Sequence, residues 1–201
     1  MSTHRGRDEG DDAVAIGELS DQTLIDLVNA GGNAEARGFD ALYQRHKLWV
    51  FNLALRFTRD HDLASDVTQE VFMYFLRKFP GFTLSAKLTT FFYPAVKNLS
   101  LTAKTKTRRY AGNDEALKAE RGDVGQDRAV QESQSRTELS AVMSALPDAQ
   151  REVVLMRFVD DFSLAEIGDA LGIPTGTVKS RLHNAIRQLR EDERLKKYFN
   201  L

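Results

Sequence analysis

Apolar residues recur along this chain at intervals of three and four, and no stretch alternates with period two over a useful length. The pattern therefore predicts helices throughout. Ser20 is placed to cap a short helix carrying Leu24, Ile25, Leu27 and Val28, stopped by the pair Gly31-Gly32. From about Asn33 to Thr58, residues Phe39, Leu42, Tyr43, His46, Val50, Leu53, Ala54 and Phe57 mark one long amphipathic helix. Asp62 is placed to cap the next, whose apolar face uses Leu63, Val67, Val71, Phe72 and Phe75 before Pro80-Gly81 ends it. After a loop from Phe82 to Ala86 comes a third long segment, Lys87 to about Arg109. Between Tyr110 and Ser133 the periodicity dissolves: GNDEALKAERGDVGQD has few large apolar residues and three glycines, the composition of a flexible tether. Order resumes with Leu139, Val142, Met143 and Leu146, breaks at Pro147, and continues through Val153, Val154, Met156 and Phe158. The expectation is an all-α chain of two small helical domains, 18–109 and 134–201, joined by a flexible linker over 110–133 and preceded by a disordered tail, 1–17.

The segment SLAEIGDALGIPTGTVKSRLHNAIRQLR, Ser163 to Arg190, is the most specific local signal. Ser163 followed by Glu166 is a capping box, and Leu164, Ile167, Ala170 and Leu171 give one apolar side. Gly172 stands where the chain must turn through a left-handed conformation, and Pro174 fits only the beginning of a second helix. That helix directs Val178, Leu182, Ala185, Ile186 and Leu189 inward, and Lys179, Arg181, His183, Arg187 and Arg190 mostly outward. A short helix, a glycine turn and a basic amphipathic helix make a helix-turn-helix, whose second helix enters the DNA major groove.

Composition bounds the rest. Hydrophobic content of 42% and charged content of 28% in 201 residues suit packed, water-soluble domains. The absence of cysteine excludes disulfides, thiolate metal sites and cysteine nucleophiles, and fits a cytoplasmic protein. No apolar run approaches the ~18 residues of a membrane span, and the N-terminus has no signal-peptide core, so no direct membrane insertion is expected. A net charge of −1 hides a strong segregation. Between Glu70 and Asp114 there is no acid, yet Arg77, Lys78, Lys87, Lys97, Lys104, Lys106, Arg108 and Arg109 fall there, and a second basic cluster spans Lys179 to Lys197. Two separated basic patches point to two separated DNA contacts.

Taken together, FDALYQRHKLWVFNLALRFT, DLASDVTQEVFMYFLRKFPGF, LTTFFYPAVKNLSLTAKTKTRR and SALPDAQREVVLMRFVDDF, followed by the helix-turn-helix, resemble the bacterial sigma-70 factors of the extracytoplasmic-function (ECF) group. The resemblance covers roughly residues 19–195, and its specificity lies in the order and spacing of the segments. It implies a transcription initiation factor that binds core RNA polymerase, through the β′ clamp helices and the β flap, and directs it to promoters. Asp66, Gln69 and Glu70 match the family's DxxQE motif, which binds the clamp helices. The −10 element is then handled by the loop Phe82, Thr83, Leu84, Ser85 and Ala86 together with Asn98, which accept an unstacked base. Lys97, Lys104, Lys106, Arg108 and Arg109 track the phosphates. The −35 element is read by Lys179, Ser180, His183 and Asn184 at bases and by Thr177, Arg181 and Arg187 at phosphates. A regulating anti-sigma factor is a further implied partner.

The chain departs from the family pattern in one segment, where Phe91-Phe92 and Pro94 replace a tryptophan-leucine pair and an unbroken helix. The residues themselves leave two structures open there: a helix beginning near Pro94 after a turn over Thr90 to Tyr93, or a kinked helix. Phe91, Phe92 and Tyr93 read as core rather than as base-stacking groups. The alternative function is a stand-alone helix-turn-helix regulator that binds DNA without joining the polymerase, although the all-α N-terminal half offers no receiver or ligand domain. An enzyme is not expected: no phosphate loop, no metal-binding His pair and no nucleophile triad is present, and neither a cofactor nor a metal is called for. Asp160-Asp161 reads as a turn rather than as metal chemistry.

Overall fold

The computed structural model describes residues 16–110 and 140–192, and all regular structure among them is helical. The chain divides into two compact units, Met1–Gly122 and Asp123–Leu201. The expected linker, 110–133, and the tail up to residue 15 lie outside the described residues, apart from Tyr110 at a helix end.

The first unit is built from α1 (Asp21–Ala30), α2 (Asn33–Thr58), α3 (His61–Leu76) and α4 (Leu88–Tyr110). Ser20 caps α1 by accepting from Thr23 N–H, and Gly31 and Gly32, at φ +74° and +67°, make the turn into α2. The cap of α3 is Asp60 rather than Asp62: its carboxylate accepts from Leu63 N–H at 2.9 Å. Arg59, in the left-handed region at φ 58°, has already ended α2, so Asp60 is the first extended residue. Asp62 lies instead in the first turn, where a carboxylate favours the helix dipole.

Leu24, Leu42, Val50, Leu53, Val67, Val71, Phe75, Phe92 and Val96 are buried where the four helices meet. Phe75 is the centre of an aromatic cluster, with the rings of Phe39, Phe79, Phe82, Phe91 and Phe92 all between 5.1 and 5.9 Å away. Two polar devices tie the bundle further. Arg45 donates to the carboxylate of Asp21 and to the carbonyls of Gly17 and Leu19, while His46, 8% exposed, bonds the other Asp21 oxygen at 2.9 Å. Burial pushes the Asp21 carboxyl up, but His46 first and Arg45 second outweigh it and hold its pKa below the usual carboxylate value. The clasp therefore contributes fully above that usual value and is lost only as pH falls through the lower, folded one. The second device is Asn29, whose amide donates to Phe82 O (2.9 Å) and accepts from Gly81 N–H (2.7 Å), fastening the start of the α3–α4 loop to the end of α1.

α4 begins at Leu88 and runs through Pro94, so the residues before the proline are helical rather than a turn. Leu88, Phe92 and Val96, at successive four-residue steps, are buried on both sides of it. Burying three such side chains stabilises by several kcal/mol at ~1.5–3 each, more than the ~3 kcal/mol a helix-interior proline costs.

The second unit holds helical residues 140–145, α5 (Asp148–Phe158), α6 (Leu164–Leu171) and α7 (Thr175–Glu191). Its core is smaller and mostly aliphatic: Val142, Leu146, Val153, Val154, Met156, Phe162, Ile167, Ala170, Val178 and Ala185. Arg151 donates to the carbonyls of Met143, Ser144 and Leu146, satisfying the end of the 140–145 turn from the side of α5.

Candidate nucleic-acid interface

The helix-turn-helix forms as its residues require. Ser163 Oγ accepts from Glu166 N–H at 3.2 Å, and the Glu166 carboxylate accepts from Ser163 N–H at 2.7 Å, which is the reciprocal capping box. Gly172 is left-handed (φ 64°, ψ 35°), and Ile173 N–H returns to Gly168 O at 3.0 Å, closing α6. Gly168 is required by close approach: a Cβ there would stand 2.9 Å from Ile173 O. Pro174 is the residue before α7, and its carbonyl accepts from Thr177 and Val178 N–H.

α7 buries Val178 and Ala185 and leaves Leu182, Ile186 and Leu189 half-buried on the same side. Lys179, Ser180, His183, Asn184 and Arg187 are exposed, whereas Thr177 and Arg181 are half-buried. Ser180 Oγ donates to Gly176 O at 3.0 Å, so its remaining capacity is as an acceptor. The first three turns of α7 thus offer an ammonium, a hydroxyl acceptor, an imidazole and an amide. That set can address both donors and acceptors on base edges.

On α4 the structure gathers Lys104, Lys106, Arg108 and Arg109 toward the C-terminal end, with Lys97 half-buried and Asn98 exposed nearer the middle. In the preceding loop the side chains alternate: Phe82, Leu84 and Ala86 are half-buried, Thr83 and Ser85 exposed. Phe82 packs on Phe75, Phe79 and Phe91, so this loop begins as an extension of the aromatic core. Asn98 borders a groove between α3 and α4 with Glu70, Tyr74, Arg77, Phe91 and Pro94, and residues 82–86 are not among those that line it. Of the three aromatic residues expected in the core, Phe92 and Tyr93 are buried, while Phe91 is half-exposed in that groove.

Asp66, Gln69 and Glu70 are all exposed on α3. Met73 (59% exposed) and Leu76 (42%) continue the same stripe at helical spacing, a combination of acids and apolar side chains that the sequence reading passed over. The signal that would have found it is an apolar residue out of phase with Val71, Phe72 and Phe75.

The sigma-70 region 2 family matches residues 42–110 and the sigma-70 region 4 family matches residues 142–191, together more than half of the chain. The ECF RNA polymerase sigma factor SigW of Bacillus subtilis is 28% identical over 156 residues, covering 72% of this chain and 83% of that protein. The ECF sigma factor SigE of Mycolicibacterium smegmatis is 27% identical over 168 residues, or 80% of this chain and 63% of that longer one. This chain belongs to the ECF group of the sigma-70 family. A solved structure of the sigma factor RpoE of Bartonella quintana, in complex with the anti-sigma factor NepR, shares the fold at a TM-score of 0.58 and 22% identity, covering 79% of this chain and 96% of that one. The protein is accordingly a polymerase-associated sigma factor for promoter recognition and not a stand-alone regulator. No helix among its described residues is long and apolar enough to cross a membrane.

Proposed function

We propose that this sigma factor divides promoter recognition between its two units, with residues 18–109 engaging the polymerase clamp helices and the melted −10 element, and residues 134–201 reading the −35 duplex and meeting the β flap. The observation that carries the reading is the exposed base-reading set on a capped helix-turn-helix, accompanied by a second, acid-free basic helix in the other unit. Lys179, Ser180, His183 and Asn184 contact −35 bases, and Thr177, Arg181 and Arg187 contact phosphates. Asp66, Gln69 and Glu70 present carboxylates and an amide to a basic helix of the polymerase, while Met73 and Leu76 bury apolar surface beside them. Asn98 and the loop 82–86 receive an unstacked −10 base, and Lys97, Lys104, Lys106, Arg108 and Arg109 hold the strand.

The polymerase performs the chemistry and this chain supplies no catalytic group. It works in the cytoplasm, where promoter and polymerase are. An anti-sigma factor restrains it, a reading supported by the similar fold of the Bartonella quintana sigma factor solved with one. Run-off transcription with purified bacterial core polymerase on a pool of genomic promoter fragments tests the proposal. Defined transcripts that require this protein are expected, and their start sites reveal both promoter elements. Silence with core polymerase, beside clean sequence-specific binding by the protein alone, would overturn it.

A further inference from the structure

The main chain between α3 and α4 has little hold on itself. Among the described residues, none from 80 to 86 takes part in a backbone–backbone hydrogen bond. What fixes this segment comes from a third helix. Asn29, in the last turn of α1, accepts from Gly81 N–H at 2.7 Å and donates to Phe82 O at 2.9 Å. One side chain thus clasps two consecutive residues more than fifty positions away in sequence. The N–H requires an acceptor and the carbonyl a donor, and a primary amide supplies both from one planar group. A carboxylate in its place keeps the first bond and sets an oxygen against the Phe82 carbonyl.

Two bonds from one planar group fix direction as well as position. The base from which they reach is firm: Leu24, Ile25 and Val28 of α1 are buried, and Asp21 at its other end is bound to Arg45 and His46 of α2. On the loop side, the Phe82 ring rests on Phe75, Phe79 and Phe91, so both main chain and side chain of this residue are set. Thr83 and Ser85 follow immediately and are exposed. We propose that Asn29 is a positioning residue for −10 recognition, acting from α1 through the Gly81–Phe82 backbone to aim the side chains of Thr83 and Ser85. The inference rests on the reading of loop 82–86 as a −10 contact. It adds to that surface a helix that carries none of the expected DNA-binding residues. A contact that reads a base loses discrimination when its backbone shifts by a fraction of a hydrogen-bond length, so the clasp governs preference among bases more than binding as a whole.

The test uses holoenzyme assembled from the full chain and core polymerase, on a promoter recovered by run-off mapping. Each non-template −10 position is replaced in turn by all four bases and transcript yield is read. The wild-type protein should discriminate by about tenfold at its best-read position, within what one base contact supplies. Asn29→Ala should flatten that preference to about threefold or less, and Asn29→Asp should flatten it partly, with −35 preferences unchanged in both. Ile25→Val, which loosens α1 packing and leaves the amide in place, should lower the urea midpoint and keep the −10 preference. An unaltered preference in Asn29→Ala, or the same flattening in Ile25→Val, would overturn the proposal. The double variant Thr83→Ala/Ser85→Ala separates this failure from that of the reading beneath it. If it loses the preference while Asn29→Ala keeps it, the positioning role alone is wrong; if neither loses it, the loop is not a −10 contact and both fall.

Discussion

Phenylalanines 39, 72, 75, 79, 82, 91 and 92 of the first unit form a continuous cluster of rings, whereas Phe162 is the one buried aromatic residue among those described in the second. The second unit relies on aliphatic packing and on backbone devices: a capping box, a left-handed glycine and a close approach at Gly168. The contrast extends to the residues proposed to meet DNA. Phe82, Leu84 and Phe91 are half-buried in the bundle while bordering its proposed recognition surface. Lys179, Ser180, His183, Asn184 and Arg187 stand outside their core. On the proposed reading, recognition is therefore coupled to stability in the first unit and nearly independent of it in the second, as would suit a surface that holds a base out of its stack against one that reads an intact duplex.

The largest effect that tests this contrast is at the ring cluster. Phe75→Ala should cost about 3–5 kcal/mol of first-unit stability, read by urea denaturation, and should impair promoter opening with it. A loss of stability that left opening intact would break the coupling. Gly168→Ala comes next, because the new methyl group meets a backbone oxygen that has no rotamer to move to. An overpacking cost of about 1–3 kcal/mol is expected, visible as a lower Tm of the second unit. The smallest change in stability belongs to Lys179→Ala, whose Tm should stay within the ~0.5 kcal/mol equivalent of a surface substitution while binding weakens by about 1–3 kcal/mol at one −35 base pair. Asn98→Ala sharpens the comparison: permanganate footprinting should show reduced opening with duplex binding largely retained. Identical defects in the two variants would remove the distinction between the two surfaces.

Helix-scale organisation was legible in the sequence because it depends on periodicity and end signals that act locally. The spacing of Phe39 to Phe57 gave α2 its limits, and Ser163, Glu166, Gly172 and Pro174 gave the helix-turn-helix. What the sequence could not decide were choices between near-equivalent neighbours. Asp60 and Asp62 both suit an N-cap, and the left-handed Arg59 before them made the selection. Phe91 and Phe92 are chemically alike, and one residue of helical rotation puts the second in the core and the first at the groove. At Pro94 the local cost was clear, but the burial of Leu88, Phe92 and Val96 that offsets it is a tertiary fact. The hydrogen bonds from Asn29 to Gly81 and Phe82 had no sequence signal, since they join residues 52 and 53 positions apart.

Those two bonds bear on how such a protein diverges. They fix where the α3–α4 loop begins, while the side chains from Thr83 to Ala86 lie beyond the clip. Exchange of the exposed Thr83 and Ser85 can alter what the loop presents to solvent from one descendant sequence to the next without disturbing the bundle, whereas Leu84 and Ala86 are half-buried in it. A residue gained or lost between Leu76 and Gly81 would detach both bonds at once. If the loop meets the −10 element as proposed, promoter preference in this lineage is open to drift by substitution and closed to drift by length.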